Sequence, residues 1–354
     1  MKNYYEVMNS RSEQLEKHEI IKAKLLEKLN DEDGAKFNQL WNCCSQMNVY
    51  IQQSYGRIGS ILFGSDLSEF NLLSFDDIPF VDVQSNTTML KDIHLGIGIN
   101  EKVVEQNEPE TFQPLTDFAN FLLIVLKYMR MKDPVFNPAN IKLDDKELLW
   151  EFGKIQWTES FVKEFGFTLL KAKYYLDNYL VHHSDEEDTQ ESNPWKLQCW
   201  KETDGKAYPV NLSKDNAIQD KLTHLLSMFE VSYSPRQRKN YLLYCMDYLI
   251  TTDIVTTENY CQFVEGLANK YFHDIYLFAD CLNDCNIPKP GSFDMEILNE
   301  DNTLNVHVRN KEANFESIYG NGLTMTKGAP LFVFNYLDYK LWEMYDGTLK
   351  NSLF

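Results

Sequence analysis

A histidine flanked by amide or carboxylate groups can serve as the general base of a metal-dependent nuclease, and His307, with Asn305 and Asn310 beside it, is the nearest approach to that arrangement in the sequence. The helix and second histidine that such a unit requires do not follow, which favours an exposed strand histidine. His182 and His183, next to Asp185, Glu186, Glu187 and Asp188, offer nitrogen and oxygen ligands for a metal, but in a segment whose ordering would cost binding energy. Cys281 and Cys285 are one helical turn apart and lack the second pair or the histidine that a zinc site needs. No metal site is therefore expected. Arg236, Arg238 and Lys239, just after Pro235, form the dense basic cluster of the chain and are the candidate contacts to nucleic-acid phosphates; the plainer reading is a solvated helix start. His18, His224 and His273 fall in helical segments, where a lone histidine usually serves structure. Gly96-Ile97-Gly98-Ile99-Asn100 lacks the third glycine of a dinucleotide loop, and no Walker loop, Gly-x-Ser-x-Gly or His-Glu-x-x-His is present.

The elements that would position these groups are mostly helices. In 354 residues, 44% hydrophobic and 14% aromatic, there is enough apolar surface for a large core. A formal charge of −19 repels a polyanion and argues against tight non-specific nucleic-acid binding. No apolar run is long enough to span a bilayer, and no signal peptide is evident at the start. With seven cysteines at mostly apolar, helix-like positions, these features predict a cytoplasmic protein that makes no membrane contact.

Apolar spacing predicts amphipathic helices over 13–29 and 35–55, forming an antiparallel pair. Further helices are expected over 115–131, 146–155, 159–181, 217–229, 236–250, 257–285 and 331–344. Thr256 or Thr257 is placed to cap the helix from 257. Residues 294–298 and 303–309 flank Asn299-Glu300-Asp301-Asn302, the pattern of a β-hairpin. Residues 184–194 lose all apolar content and predict a mobile acidic linker between a helical domain at 1–183 and a second at 195–354. The fold class expected is mainly α: irregular multi-helix bundles with one small β-hairpin near the C-terminal end. The last helix carries Phe332, Phe334, Tyr336, Tyr339 and Trp342 on more than one face, so it must be covered by the chain or by a partner; a homodimer is one possibility.

The stretch from Tyr5 to Ala23, with Asn9-Ser10-Arg11-Ser12-Glu13-Gln14-Leu15 leading into a helix, resembles a motif of the GmrSD-type restriction endonuclease family, Asn-x-Arg-Gly-x-x-Leu after an aromatic-rich strand. Residues 122–128, 170–180 with Asp177, 225–233 and 332–342 resemble the family's central helical region. The family's Asp-Gly-Gln-Gln-Arg signature and His-Asn-His nuclease signature do not occur, and Ser12 stands where the motif has glycine. The resemblance implies a central helical region preceded by the tail of a nucleotide module. Its partners would be an upstream nucleotide module and a downstream nuclease module, in the same or separate chains, with DNA touched only indirectly.

On that resemblance Asn9, Arg11, Gln14 and His18 are the remnant of a ligand edge. Arg11 is the group suited to phosphate oxygens, or else the partner of Glu16 in an ion pair. The expected function is a non-catalytic scaffold of a DNA-restriction, anti-phage defence protein. The alternatives are a component that binds or hydrolyses nucleoside triphosphate with magnesium once assembled with a partner, and a DNA-binding module using Arg236, Arg238 and Lys239. No cofactor is expected for the isolated chain.

Overall fold

A computed structural model describes residues 16–55, 59–79, 111–183, 194–233, 239–309, 315–320 and 328–345. The chain is mainly α-helical, as its periodicity predicts. Helix α1 (Lys17–Leu26) packs on α2 (Asp31–Ser45), whose start is capped by Asn30 accepting the Asp33 amide at 2.9 Å. The helix expected over 35–55 is broken. Gln53 takes the Tyr50 amide and the Asp177 carboxylate takes the Ile51 amide at 2.7 Å, so a new helix, α3 (Ile51–Tyr55), starts under a cap supplied from far along the chain. α4 (Gly59–Phe63), α5 (Phe118–Met131, capped by Asp117), α6 (Leu148–Gly153) and α7 (Glu159–Tyr179, capped by Thr158) complete the first half.

Two antiparallel pairs follow. β1 (His182–His183) pairs with β2 (Trp195–Lys196), and β3 (Gln198–Thr203) pairs with β4 (Lys206–Asn211). The β3–β4 turn is Asp204-Gly205, both with positive φ (52° and 75°), the combination that a two-residue hairpin matching the strand twist requires. The hairpin expected at 294–309 shrinks to a Leu298–Leu304 bridge and the Asn305 amide on the Ile297 carbonyl at 2.8 Å. Its first strand is instead helical, because Asp294 faces inward to meet Lys127 and Tyr244.

The second half comprises α8 (Asn216–Ser232), α9 (Asn240–Thr251), α10 (Thr257–Lys270), α11 (Ser292–Ile297), α12 (Phe315–Tyr319) and α13 (Leu331–Met344). Of the two candidate caps, Thr256 is the one that caps α10, in a reciprocal box with Asn259. α10 runs into a π-helical turn, Tyr271–Tyr276, and then stops, short of the end expected at 285. The 184–193 segment and its linker role lie outside the described residues. On either side of it the buried side chains form one contiguous core: α9 lies on α5 and α7, and the Trp200 amide donates to Asn178 at 2.8 Å.

That core contains charge. Lys173, fully buried, donates to Asp177 at 2.6 Å and to the Val49 carbonyl at 3.0 Å. Burial pushes the Asp177 carboxyl up to about 6 against the opposing pull of Lys173. Gln52 and Asn178 extend the network, and His182 Nε2–H donates to the Asp177 carbonyl at 2.6 Å. Burial lowers the His182 pKa to about 4, so its ring is neutral near pH 7.

Asp247 on α9 differs, because no described cation or donor meets its carboxylate, and burial raises its pKa from 3.8 to about 7. The folded state therefore holds a proton that the unfolded chain has already released, and stability falls as pH rises from about 4 to about 7. Asp247→Asn is expected to stabilise the protein by about 2 kcal/mol at pH 8 and to do little near pH 4. Urea unfolding at both pH values checks this, and an equal effect at the two would overturn it.

Candidate functional site

The sequence around 331–344 has large apolar residues at nearly every helical phase, and the structure resolves them into two faces. Pro330 precedes the first residue of α13, where its preset φ suits helix entry. Phe332, Val333, Tyr336 and Tyr339 form the inner face and are buried against α8 and the π-helical turn. Phe332 stacks on Tyr276 (ring centroids 5.0 Å) and Tyr336 on Phe272 (4.3 Å).

Polar contacts fix the rotation of α13 about its axis. Asn335 donates to Ser232 at 3.0 Å and Tyr336 to Asn269 at 2.6 Å. Lys221 bridges Glu265 (3.0 Å) and Glu343 (2.9 Å), while Lys340 reaches Glu343 at 2.9 Å. Burial alone would raise the Glu343 carboxyl, but hydrogen bonds from Lys221 and Lys340 hold it down at about 2. With one face locked in this way, the other is turned outward. Leu331, Phe334, Leu337, Leu341 and Met344 recur every three or four residues and are all exposed, Met344 by 79%. Phe334, expected to be covered, is half exposed. These side chains form a run of exposed apolar surface along one face of α13.

The residues singled out in the sequence are placed as follows. Asn9, Arg11 and Gln14 lie outside the described residues, as do Arg236 and Arg238. His18 is on α1, edge-on to Phe118 (5.3 Å), with Glu16 at 3.2 Å and Glu19 at 3.6 Å. Lys239 is a correction to the expected basic patch. It is 4% exposed and its ammonium is turned inward onto Glu230 and the Leu115 carbonyl, because Glu230, also buried and accepting from Tyr241 at 2.6 Å, needs a cation. It presents nothing to phosphate.

His182 is wedged against Phe112 (3.9 Å) with Nε2 spent on a backbone carbonyl, and His183 packs edge-on to Trp195 at 5.3 Å. His307 is exposed, and its carbonyl accepts from Lys270 at 2.7 Å. Cys281 is buried and Cys285 exposed, on separate turns rather than one helix face. Among the described residues no group of three or more His, Cys, Asp or Glu could hold a metal ion. No helix there is long and apolar enough to cross a membrane.

A second polar cluster flanks the π-helical turn. Lys270 meets Asp274 at 3.3 Å, Asp274 accepts the Arg309 amide at 2.9 Å, and the Arg309 guanidinium pairs with Glu296. Each charge has a partner, so the cluster acts as a staple that holds 305–309 against α10. Sequence reasoning missed these inward-facing ion pairs. Their signal was present in charged residues that fall on the apolar phase of a helix, Lys173 and Asp177 four apart on α7 and Lys270 and Asp274 across the end of α10. Compared with family models, with curated proteins and with solved structures, the chain matches none.

Proposed function

We propose that the chain is a non-catalytic helical scaffold that holds partner modules, with the outer face of α13 as its docking surface. This is the role the GmrSD-like resemblance implies for the central region of a DNA-restriction, anti-phage defence protein, where nucleotide and nuclease modules would be the partners. The observation that supports it is the stripe of five large apolar side chains on one solvent-facing side of a helix whose other side is locked into the core. Exposed apolar area of this kind costs about 25 cal/mol per Å² until something covers it.

Without a partner, such a face favours self-association. The isolated chain is expected to show concentration-dependent association in sedimentation velocity at high micromolar concentration. Phe334→Glu/Leu341→Glu should abolish it and leave the melting temperature within a degree or two, because both side chains lie outside the core. A wild-type chain that stays monomeric throughout, or a variant that associates equally well, would sink this reading.

A further inference from the structure

On the opposite side of the sequence from α13, a groove of about 460 Å³ opens between α1 and the α6–α7 connection. Its floor is apolar. Ile21 and Leu25 come from α1 and Phe152 from α6, and Trp157 lies stacked on Phe152 at 5.4 Å. The Trp157 indole N–H is spent on the Phe152 carbonyl at 3.0 Å, so this ring offers the groove only its hydrocarbon surface. The rim carries Lys24 and Lys28, one turn apart and both exposed, against a single carboxylate, Glu27. Neither lysine makes an ion pair among the described residues.

The sign of this rim stands out in a chain of net charge −19. The hollow at 73–76 and 159–167 sets Asp76, Glu159 and Glu164 against Lys163, and the one beside the π-helical turn sets Asp274 and Glu296 against Arg309. Both of those are net acidic, whereas the α1–α6 groove has two lysines to one glutamate. A cationic rim over an apolar floor complements a ligand with the reverse design.

We propose that this groove is a peptide-docking site for a partner segment that sets one or two carboxylates beside a large apolar side chain. The apolar anchor fills the floor over Phe152 and Trp157, and the carboxylates meet Lys24 and Lys28. Gly153 borders the groove, and a Cβ placed there meets nothing within 4 Å, so the groove stays open at this point for want of a side chain. The site is independent of the α13 stripe, and the two readings fail separately.

The test starts by selecting random dodecapeptides on the full chain and labelling the consensus peptide with fluorescein for anisotropy titration. The expected consensus pairs Asp or Glu with Leu, Phe or Trp, and binding weakens as salt is raised. Lys24→Glu/Lys28→Glu should weaken it roughly tenfold, since two attractions become repulsions. Gly153→Trp should abolish it by filling the groove. The lysine variant changes exposed positions alone and keeps the test valid if Gly153→Trp fails to fold. A consensus without acidic residues, no selected peptide at all, or a peptide that binds both variants like wild type would overturn the proposal. So would a dimer that Gly153→Trp dissolves, because it would assign the groove to a second copy of the chain.

Discussion

Lys173→Met is expected to lower the unfolding free energy by about 3–5 kcal/mol at pH 8, because it leaves the Asp177 carboxylate buried without its cation. The pair joins two distant pieces of chain, α7 and residues 49–51: Lys173 also donates to the Val49 carbonyl and Asp177 also accepts the Ile51 amide. Losing the ammonium therefore disturbs the start of α3 as well as α7.

The pH dependence follows from the sign of the shift. The Asp177 pKa is raised by burial to about 6, so the folded state binds a proton more readily than the unfolded chain, and the contribution of this group to stability falls as pH rises through that value. Without Lys173 the pKa rises further. The cost of Lys173→Met should therefore shrink at about pH 4, where the carboxyl is protonated and neutral. Adding Asp177→Asn should recover much of the loss at pH 8, since an amide oxygen still accepts from Ile51 while the buried charge is gone. Urea unfolding of the three proteins at the two pH values measures this. A single-variant cost below about 1 kcal/mol at pH 8 would show that the pair does not hold α7 to residues 49–51.

Phe332→Ala is expected to cost about 3–5 kcal/mol, whereas Phe334→Ala, two residues along the same helix, should change stability by less than about 0.5 kcal/mol. The Phe332 ring is 1% exposed and lies within 5.0–6.2 Å of the rings of Tyr276, Phe229, Tyr271, Tyr233 and Tyr336. Its removal empties the centre of an aromatic cluster drawn from α8, the π-helical turn and α13, and the helix should lose its seat. Phe334 is half exposed and faces solvent. The contrast tests the rotation of α13 directly. Equal costs would mean that the helix is turned differently, and the docking stripe would disappear with that result. Phe332→Ala also removes the stripe's rigid support and should weaken self-association, while Phe334→Ala should weaken it with no loss of stability.

Much of the helical framework was legible from spacing alone. α13 was expected over 331–344 and spans Leu331–Met344; the body of α7 was equally clear, and the α10 cap was narrowed to Thr256 or Thr257. These are strongly periodic segments with local caps, in which neighbouring residues carry the whole signal. The β3–β4 hairpin also had a local signal in Asp204-Gly205, the dipeptide of a tight hairpin turn, but its flanks lack the apolar alternation that marks strands. The break before α3 had none, because the group that captures the Ile51 amide is Asp177, more than a hundred residues away.

The sequence by itself determined the fold class and the positions of the long helices, since helical periodicity and capping are properties of neighbouring residues. It also showed that α13 had more apolar faces than a single core contact could cover. Tertiary structure decided which of those faces is spent, through the hydrogen bonds of Asn335 and Tyr336 and the ion pairs of Lys221 and Lys340. It turned Lys239 from a candidate phosphate contact into the partner of Glu230. It also formed the α1–α6 groove from side chains more than a hundred residues apart. The physical reason is the same in each case. Burial and pairing depend on what the rest of the chain brings alongside a residue, and spacing along one segment carries no record of that.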